Sequence, residues 1–438
     1  MKTITVKEYD MIVAERHGSN PILPSQKIKV IPAKAFEALK SALLQSIGTK
    51  AEMQDFMQLS SRKGIGEVLT VKNYVGLIAT KDGTILEIQP KITDDQNQDE
   101  VRELLVKMVK TLRNDIPFKH IQTAHLNTAK MPLLEVFIRM FITEASVLVK
   151  HGLKGGYQTI RQNGYTFKGK MRVQDHIRTN YAHKERCFIE YDSFELNRAE
   201  NRIIKSTLLF LNRLTSDLRN KTDLNKLLFI FADIEAYDNL DADLQAVSIQ
   251  RDMKEYETIL RWCRLFLKKE SFTPFSGDNI AFALLFPMES LFESYIASLC
   301  RKYIMDKQLD YTLHIQDRQY TLFDEPKAFC IRPDLVLSKP DTPPIVMDTK
   351  WKMLNTGAAY YGISQADMYQ MYVYHKKYKA KMVVVIYPKP VSDLEQTVMK
   401  TDDLVTVVIK CIDILKEPEL AVNHVLDYVL SAEHPLQA

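Results

Sequence analysis

The stretch that decides the fold is Ile331-Arg-Pro-Asp-Leu-Val-Leu337, which is followed by Pro344-Ile-Val-Met-Asp-Thr-Lys350. Both runs are short and apolar with β-branched members, and turn-forming residues separate them. The pattern predicts two paired strands, with Asp334 at the start of the first and Asp348 and Lys350 at the end of the second. Because side chains alternate along a strand, Asp348 and Lys350 are expected on one face.

Two carboxylates and one ammonium around a common point suit metal-dependent hydrolysis of a phosphodiester. Mg²⁺ prefers oxygen ligands and usually takes one or two carboxylates together with waters and a phosphate oxygen. The metal polarises the phosphate and lowers the pKa of a bound water, while a lysine orients or deprotonates that water. The sequence therefore predicts a Mg²⁺ site in which Asp334 and Asp348 are ligands and Lys350 is the water-positioning cation.

The bare pattern of an acidic pair followed by lysine has little specificity, because the chain contains other partial matches. These are Pro340-Asp341, Glu325-Pro-Lys327 and Asp252-Met-Lys254. None of the three lies at the end of a predicted strand, since one is in the turn, one contains proline and one is in a helical run. A surface hairpin with ordinary solvated charges is the alternative that the motif alone leaves open.

Two flanking helices add polar residues in a consistent order. Upstream, a predicted helix from Met288 carries Glu289 and Glu293 four residues apart, and downstream a helix over 364–378 carries Gln370 and Tyr374 at the same spacing. Residues four apart share a helix face. We expect Glu293, and less firmly Glu289, to supply a third metal ligand, and Gln370 and Tyr374 to orient the site or touch the scissile strand. A solvated polar face is the alternative for each helix alone.

The order of these elements resembles that of a known nuclease core. A helix with an acid, two strands with Asp334 and Asp348, a helix with Gln370 and Tyr374 and a buried strand over 381–388 follow one another. This order is similar to the restriction-endonuclease-like PD-(D/E)xK core, in the variant shared by RecB-type nucleases. The resemblance implies a mixed sheet flanked by helices.

Three other segments carry a closer resemblance. They are Tyr74-Val-Gly-Leu-Ile-Ala-Thr-Lys-Asp-Gly-Thr-Ile-Leu-Glu-Ile-Gln-Pro-Lys-Ile92, Phe167-Lys-Gly-Lys-Met-Arg-Val173 and Phe194-Glu-Leu-Asn-Arg-Ala-Glu-Asn-Arg-Ile-Ile-Lys-Ser-Thr-Leu208. Together with the nuclease motifs, they resemble McrC, the nuclease subunit of McrBC-type modification-dependent restriction systems, over residues 70–390. Residues 1–95 are similar to the extra N-terminal region of the longer members, and their role is left open.

The resemblance implies a division of labour between two proteins. A McrB-type AAA+ ring recognises double-stranded DNA carrying modified cytosine and hydrolyses GTP, which the ring binds and this chain does not. The McrC subunit docks on the ring, stimulates it and cuts the DNA. The family thus implies a magnesium-dependent endonuclease subunit that works in antiviral defence, with targeting delegated to the partner.

The chain-wide pattern predicts an α/β fold, in the sense of an α+β multidomain protein. Residues 1–95 form a β-biased N-terminal domain for contact with a partner or DNA, including a hairpin that turns at Asp82-Gly83. Residues 101–279 form a mainly helical middle region, interrupted by a glycine-rich, basic segment at 151–192. Residues 280–438 form the nuclease domain.

The glycine-rich segment includes Gly164-Tyr-Thr-Phe-Lys-Gly-Lys-Met171, which fits the phosphate-binding P-loop pattern except at its last position. That position requires a serine or threonine hydroxyl for Mg²⁺, which methionine lacks. The segment is therefore not expected to bind nucleotide. Its basic residues are expected to contact DNA phosphates or acidic surfaces of the ring, or else to lie on a solvated loop, and they are Arg161, Lys168, Lys170, Arg172 and Arg178.

Composition limits the remaining classes. The net charge is +4 and the five cysteines show no Cys-x-x-Cys spacing, which disfavours a zinc knuckle or a disulfide framework and fits a reducing cytoplasm. The best membrane candidate, Met131–Val149, contains Glu135, Arg139 and Glu144, so no membrane span is expected. Two other functions stay open: an assembly and activator subunit with a vestigial nuclease centre, and an autonomous RecB-like repair nuclease.

Overall fold

The computed structural model describes residues 2–15, 27–46, 56–92, 98–112, 131–247, 253–267, 280–389 and 396–431. These described residues fall into two compact units. The first comprises the described residues before 118, residues 131–133 and the described residues after 270; the second comprises the described residues from 134 to 270. Helices and mixed sheets occur in the same chain, so the predicted α/β, multidomain class is confirmed.

The first unit begins with two four-stranded sheets. Their order is β3-β2-β5-β4 and β1-β7-β6-β11, and helix α1 (Ala33–Ser46) packs on both. The strands are β1 (Lys2–Lys7), β2 (Met11–Ala14), β3 (Ile28–Ile31), β4 (Met57–Arg62), β5 (Gly66–Val71), β6 (Tyr74–Thr80), β7 (Thr84–Gln89) and β11 (Ile280–Pro287). The predicted hairpin is confirmed: Asp82 Oδ1 accepts a hydrogen bond from Thr84 N at 3.1 Å and closes the turn between β6 and β7.

Strand β11 joins the N-terminal sheet by pairing antiparallel with β6. The two backbones approach so closely at Gly76 that a Cβ there would lie 2.0 Å from Leu284 O. Strand β11 then continues directly into α9 (Met288–Asp306), against which α2 (Gln98–Thr111) packs. The sequence predicted residues 1–95 and residues from 280 onward as separate domains. The pairing of β6 with β11 instead places both segments in one unit.

The same unit contains a six-stranded sheet in the order β12-β15-β16-β17-β19-β18. Its strands are β12 (Thr312–Ile315), β15 (Leu335–Ser338), β16 (Ile345–Thr349), β17 (Met382–Pro388), β18 (Gln396–Lys400) and β19 (Thr406–Ile412). The central strands run parallel and are buried on both faces, which explains their unbroken apolar sequences. A separate ribbon, β13 (Thr321–Asp324) with β14 (Lys327–Cys330), and the helices α10 (Gln365–Tyr378) and α11 (Pro418–Ser431) complete this part.

The second unit is mainly helical. Its helices are α3 (Leu133–His151), which it enters from Leu134, α4 (Val173–Asn180), α5 (Ala199–Leu214), α6 (Leu218–Ile230), α7 (Leu240–Ala246) and α8 (Lys254–Leu267). The glycine-rich segment forms a small sheet in the order β8-β10-β9, of β8 (Gly156–Gly164), β9 (Lys170–Met171) and β10 (Cys187–Glu195). Lys170 and Met171 thus lie in a strand, not at the N-terminus of a helix as in a P-loop.

Some sequence-based expectations concern residues outside the described ranges. Asp252 of the partial match Asp252-Met-Lys254 is among them, as are residues 93–97 and 268–279 beside the predicted domain boundaries. Across the helices that the structure describes, none has both the length and the apolar character to cross a bilayer.

Candidate active site

Asp334 lies just before β15, where the preceding proline keeps the chain extended into the strand. Its Oδ2 atom accepts hydrogen bonds from the backbone N of Thr349 at 2.7 Å and from Thr349 Oγ1 at 2.8 Å. These bonds tie the Asp334 carboxylate to the end of the neighbouring strand β16. The sequence-predicted pairing of the two motifs is therefore present.

Asp348 and Lys350 lie at the end of β16 and meet, as the alternation of side chains predicts. Asp348 is 2% exposed, and its Oδ2 atom forms an ion pair with Lys350 Nζ at 2.8 Å. The backbone N of Lys350 donates to Ile386 O at 2.9 Å, which fixes the position of the lysine beside β17. The carboxylate and the ammonium thus share one side of the sheet end.

Glu293 on α9 is the helix carboxylate that reaches this group. Its Oε1 atom accepts a hydrogen bond from Gln316 Nε2, and the same nitrogen donates to Asp334 Oδ1 at 3.2 Å. Glu289, one helical turn earlier, instead interacts electrostatically with Glu8 and Lys91. Of the two glutamates that the sequence offered, the geometry selects Glu293.

Gln370 and Tyr374 form a chain of hydrogen bonds that leads away from the lysine. Gln370 Oε1 accepts from Lys350 Nζ at 3.1 Å, and Gln370 Nε2 donates to Tyr374 OH at 2.6 Å. Tyr374 OH in turn donates to the backbone O of Arg332 at 2.9 Å. All six predicted site residues are therefore brought together, and helix α10 holds Lys350 in place relative to the Asp334 segment.

The electrostatics of the group reflect crowded, buried acids. Burial, with the nearby Asp334 carboxylate adding repulsion, raises the pKa values of Asp348 and Glu293 to about 7. Burial also raises the pKa of Asp334, although Thr349 and Lys350 oppose the shift. The pKa of Lys350, which burial would lower, is raised by the carboxylates of Asp348 and Asp334. Burial and mutual repulsion therefore oppose the simultaneous ionisation of the three acids.

This donor set fits a hard divalent cation, because buried carboxylates that repel one another are stabilised by a metal. Asp334, Asp348 and Glu293 are the residues that could hold it. Within the described ranges, no group of three or more His, Cys, Asp or Glu side chains is arranged as a metal site. In this conformation the Gln316 amide lies between Glu293 and Asp334, while Lys350 pairs with Asp348.

Two further contacts of the site were missed from the sequence. Gln316 follows β12 with a φ of 54°, and no local motif marks it. Trp351, next to Lys350, packs on Phe292 with ring centroids 5.4 Å apart and donates from Nε1 to Glu8 Oε2 at 3.1 Å. The indole thus connects the strand end that carries Lys350 to the N-terminal sheet. Its position directly after the lysine was the only sequence signal for this contact.

The basic segment of the second unit shows a different pattern. Arg161 pairs with Glu190 at 2.7 Å, and Arg172 pairs with Asp175 at 2.6 Å and with Glu190 at 3.3 Å. Lys168 Nζ lies 4.1 Å from the ring centroid of Tyr191. The small sheet and its connections also carry large exposed apolar side chains, which include Tyr157, Tyr165, Phe167, Tyr181 and Phe194. The five predicted basic residues all lie in the second unit.

Residues 69–388 match a protein family described as McrBC 5-methylcytosine restriction system component. The match covers more than half of the 438-residue chain and includes all six predicted site residues. It also agrees with the range over which the sequence resembles McrC. No curated protein matches the chain.

Two solved structures are similar to this chain. One is a chain of the refined half-complex from the tetradecameric assembly of Thermococcus gammatolerans McrB AAA+ hexamers with bound McrC; the TM-score is 0.68, the identity 17%, and the match covers 98% of this chain and 100% of that chain. The other is a chain of the cryo-EM structure of the Thermococcus gammatolerans McrBC complex, with a TM-score of 0.48, 19% identity and coverage of 69% and 88%. The first likeness establishes a shared fold.

Proposed function

The chain belongs to the family of McrBC 5-methylcytosine restriction system components, and from this premise we propose that it is the McrC-type subunit that cuts DNA phosphodiesters with Mg²⁺. The cut is made when the subunit is assembled with a GTP-hydrolysing McrB-type AAA+ ring, which it also stimulates. The observation that carries the proposal is the convergence of Glu293, Asp334, Asp348 and Lys350 at one end of the six-stranded sheet.

The proposed centre assigns each side chain a distinct task. Asp334, Asp348 and Glu293 would hold Mg²⁺, which supplies a polarised phosphate and a water of lowered pKa when bound. Lys350 positions the attacking water and offsets charge on the phosphate, and Gln370 orients the lysine through the 3.1 Å hydrogen bond. Thr349 holds the Asp334 carboxylate with two donors, so this acid is pre-oriented before substrate arrives.

Assembly with a motor supplies what the site does not provide. The similar structure contains McrB AAA+ hexamers with bound McrC, and we extend that arrangement to this chain as a proposal. Recognition of modified cytosine in double-stranded DNA, and binding of GTP, belong to the ring in this account. The basic and aromatic residues of the β8-β10-β9 sheet are candidates for contact with DNA or with the ring.

Reconstitution with a McrB-type partner tests the proposal. We expect a methylated plasmid to be cut in Mg²⁺ and GTP only when both proteins are present, and an unmethylated plasmid to remain intact. Stimulated GTP hydrolysis without cutting would instead indicate an activator with a vestigial centre. Cutting by this chain alone would indicate an autonomous repair nuclease.

A further inference from the structure

A cavity of about 380 Å³ opens beside the candidate centre, lined by side chains of α10 and of the β13–β14 ribbon with the segment that follows it. We propose that it holds one unstacked nucleotide of the DNA strand that is cut. This inference rests on the proposed nuclease function and adds a substrate subsite to it. The lining residues used below are Phe329, Arg332, Tyr369, Gln370 and Tyr374.

The cavity adjoins the centre, because Gln370 and Tyr374 line the cavity and also belong to the hydrogen-bonded chain that starts at Lys350. Gln370 accepts the hydrogen bond from Lys350, and Tyr374 donates to Arg332 O, two residues before Asp334. In the proposed arrangement, a scissile phosphate lies between Asp334 and Lys350, and a neighbouring nucleotide of the same strand enters the adjoining cavity. The occupant is thus most simply part of the same strand.

Aromatic rings with free faces give the cavity its chemistry. Phe329 is 74% exposed and Tyr369 is 63% exposed, although large aromatic side chains gain free energy from burial. Phe329 packs edge-on against Phe323 with ring centroids 5.9 Å apart, and Tyr369 OH accepts a hydrogen bond from Gln365 Nε2 at 2.6 Å. Exposed rings can stack on a nucleobase, because every base offers a π-face.

Charge and size favour the same ligand. Arg332 is the single charged residue among the nine that line the cavity, so its wall attracts a phosphate and contains no carboxylate to repel it. Pockets for small ligands measure about 300–1,000 Å³, so the cavity suits one nucleotide and is too small for a duplex. The base must therefore leave its stack before it enters.

The test compares exposed aromatic residues inside and outside the cavity in the reconstituted complex. Phe329→Ala and Tyr369→Ala should each lower kcat/KM for plasmid cleavage by about tenfold, the effect expected for loss of one stacking contact. Phe329→Tyr and Tyr369→Phe retain a stacking ring and should cut within about twofold of wild type. Tyr372→Ala is the matched control, since Tyr372 is exposed on the same helix, lies outside the cavity and bonds Asp403; it should cut like wild type.

A second readout separates this inference from the nuclease proposal. A duplex with 2-aminopurine at the nucleotide next to the cut should brighten when bound to the complex carrying Asp348→Asn, which prevents cutting. The brightening should disappear when Phe329→Ala is added. If cleavage needs Asp348 but the alanine variants cut normally and no brightening occurs, the subsite is refuted and the nuclease stands. If Asp348→Asn still cuts, the nuclease assignment itself fails.

Discussion

Two buried acids in this chain show how differently a carboxylate can be accommodated. Glu135 in the second unit is 3% exposed, and Asp348 in the first is 2% exposed. Glu135 Oε1 accepts from Ser216 N at 2.7 Å, from Ser216 Oγ at 3.1 Å and from Asp217 N at 3.3 Å. Its Oε2 accepts from Thr215 Oγ1 at 2.6 Å and from Asn220 Nδ2 at 2.8 Å.

Asp348 has a poorer environment. Lys350 is its ion-pair partner at 2.8 Å, and the carboxylates of Asp334 and Glu293 repel it. Glu135, with its fully hydrogen-bonded carboxylate, joins α3 to the start of α6 and is structural. Acids that repel one another, such as Asp348 and Asp334, lower stability unless a cation is bound. The surroundings of each carboxylate therefore identify Asp348 as a candidate site residue and Glu135 as a structural one, without reference to any sequence motif.

A large effect is expected at one of the two glutamates on α9 and a small one at the other. Glu293→Gln should lower the cleavage rate of the reconstituted complex by about 100-fold or more, because it removes a proposed metal ligand. Glu289→Gln, the matched change one helical turn earlier, should alter the rate by about twofold at most, since Glu289 faces Glu8 and Lys91. Initial rates of plasmid cutting measure both; equal effects would remove the distinction between them.

The next effect is on pH dependence. The pKa values of Asp348 and Glu293 are raised to about 7, so both acids lose the charge that binds metal as the pH falls below that value. With Mg²⁺ below saturation, cleavage should fall by about tenfold or more per pH unit below about 6.5. Raising Mg²⁺ should move the midpoint to lower pH, because metal and protons compete for the same oxygens. A pH midpoint of cleavage that does not change with the Mg²⁺ concentration would contradict the assignment of Asp348 and Glu293 as metal ligands.

Stability should change in opposite directions for the two buried acids. Glu135→Gln leaves buried donors unpaired and should cost about 1–3 kcal/mol, which thermal unfolding would show as a lower midpoint. Asp348→Asn should raise the midpoint at pH 8 without Mg²⁺, because it removes a destabilising charge. The sign follows from the raised pKa: the contribution of Asp348 to stability is present below its unfolded pKa and is lost as the pH rises through about 7.

Two controls belong to that measurement. The gain from Asp348→Asn should shrink at pH 5.5, about 1.5 units below the folded pKa, where wild-type Asp348 is mostly protonated. Added Mg²⁺ should raise the midpoint of wild type and leave that of Asp348→Asn unchanged. A Glu135→Gln variant as stable as wild type would show that the five donors around Glu135 are less important than the geometry indicates.

The smallest effect is expected at the contact behind the lysine. Trp351→Phe keeps a ring against Phe292 but removes the donor to Glu8, so it should loosen Lys350 and lower the cleavage rate by up to about tenfold. The control is Trp262→Phe at the only other tryptophan, in the second unit, which should cut like wild type. An unchanged rate for Trp351→Phe would show that the hydrogen bond from Trp351 to Glu8 does not help to position Lys350 for cleavage.

Local signals predicted much of the site from the sequence. The turn at Asp82-Gly83 and the strands that bring Asp334 to Asp348 depend on short-range chemistry, which a sequence displays directly. The spacing of Gln370 and Tyr374 likewise follows from the geometry of one helix. These features could be predicted because each depends on residues that are close together in the sequence.

Contacts between distant segments could not be predicted in the same way. The pairing of β6 with β11 joins segments about two hundred residues apart, and the contact of Glu8 with Trp351 spans 343 positions. Gln316 lies in an irregular segment with positive φ, where neither strand nor helix periodicity applies. Residues 1–95 and 280–438 were predicted as separate domains for this reason, since composition along the chain does not reveal pairing between distant strands.

The most direct test follows cutting and GTP hydrolysis together in one reconstituted reaction, with wild type and Asp348→Asn. We predict that Asp348→Asn lowers the cleavage of methylated plasmid by about 1,000-fold or more while stimulating the GTPase of the ring as fully as wild type does. Cutting at the wild-type rate by Asp348→Asn would contradict the assignment of the centre.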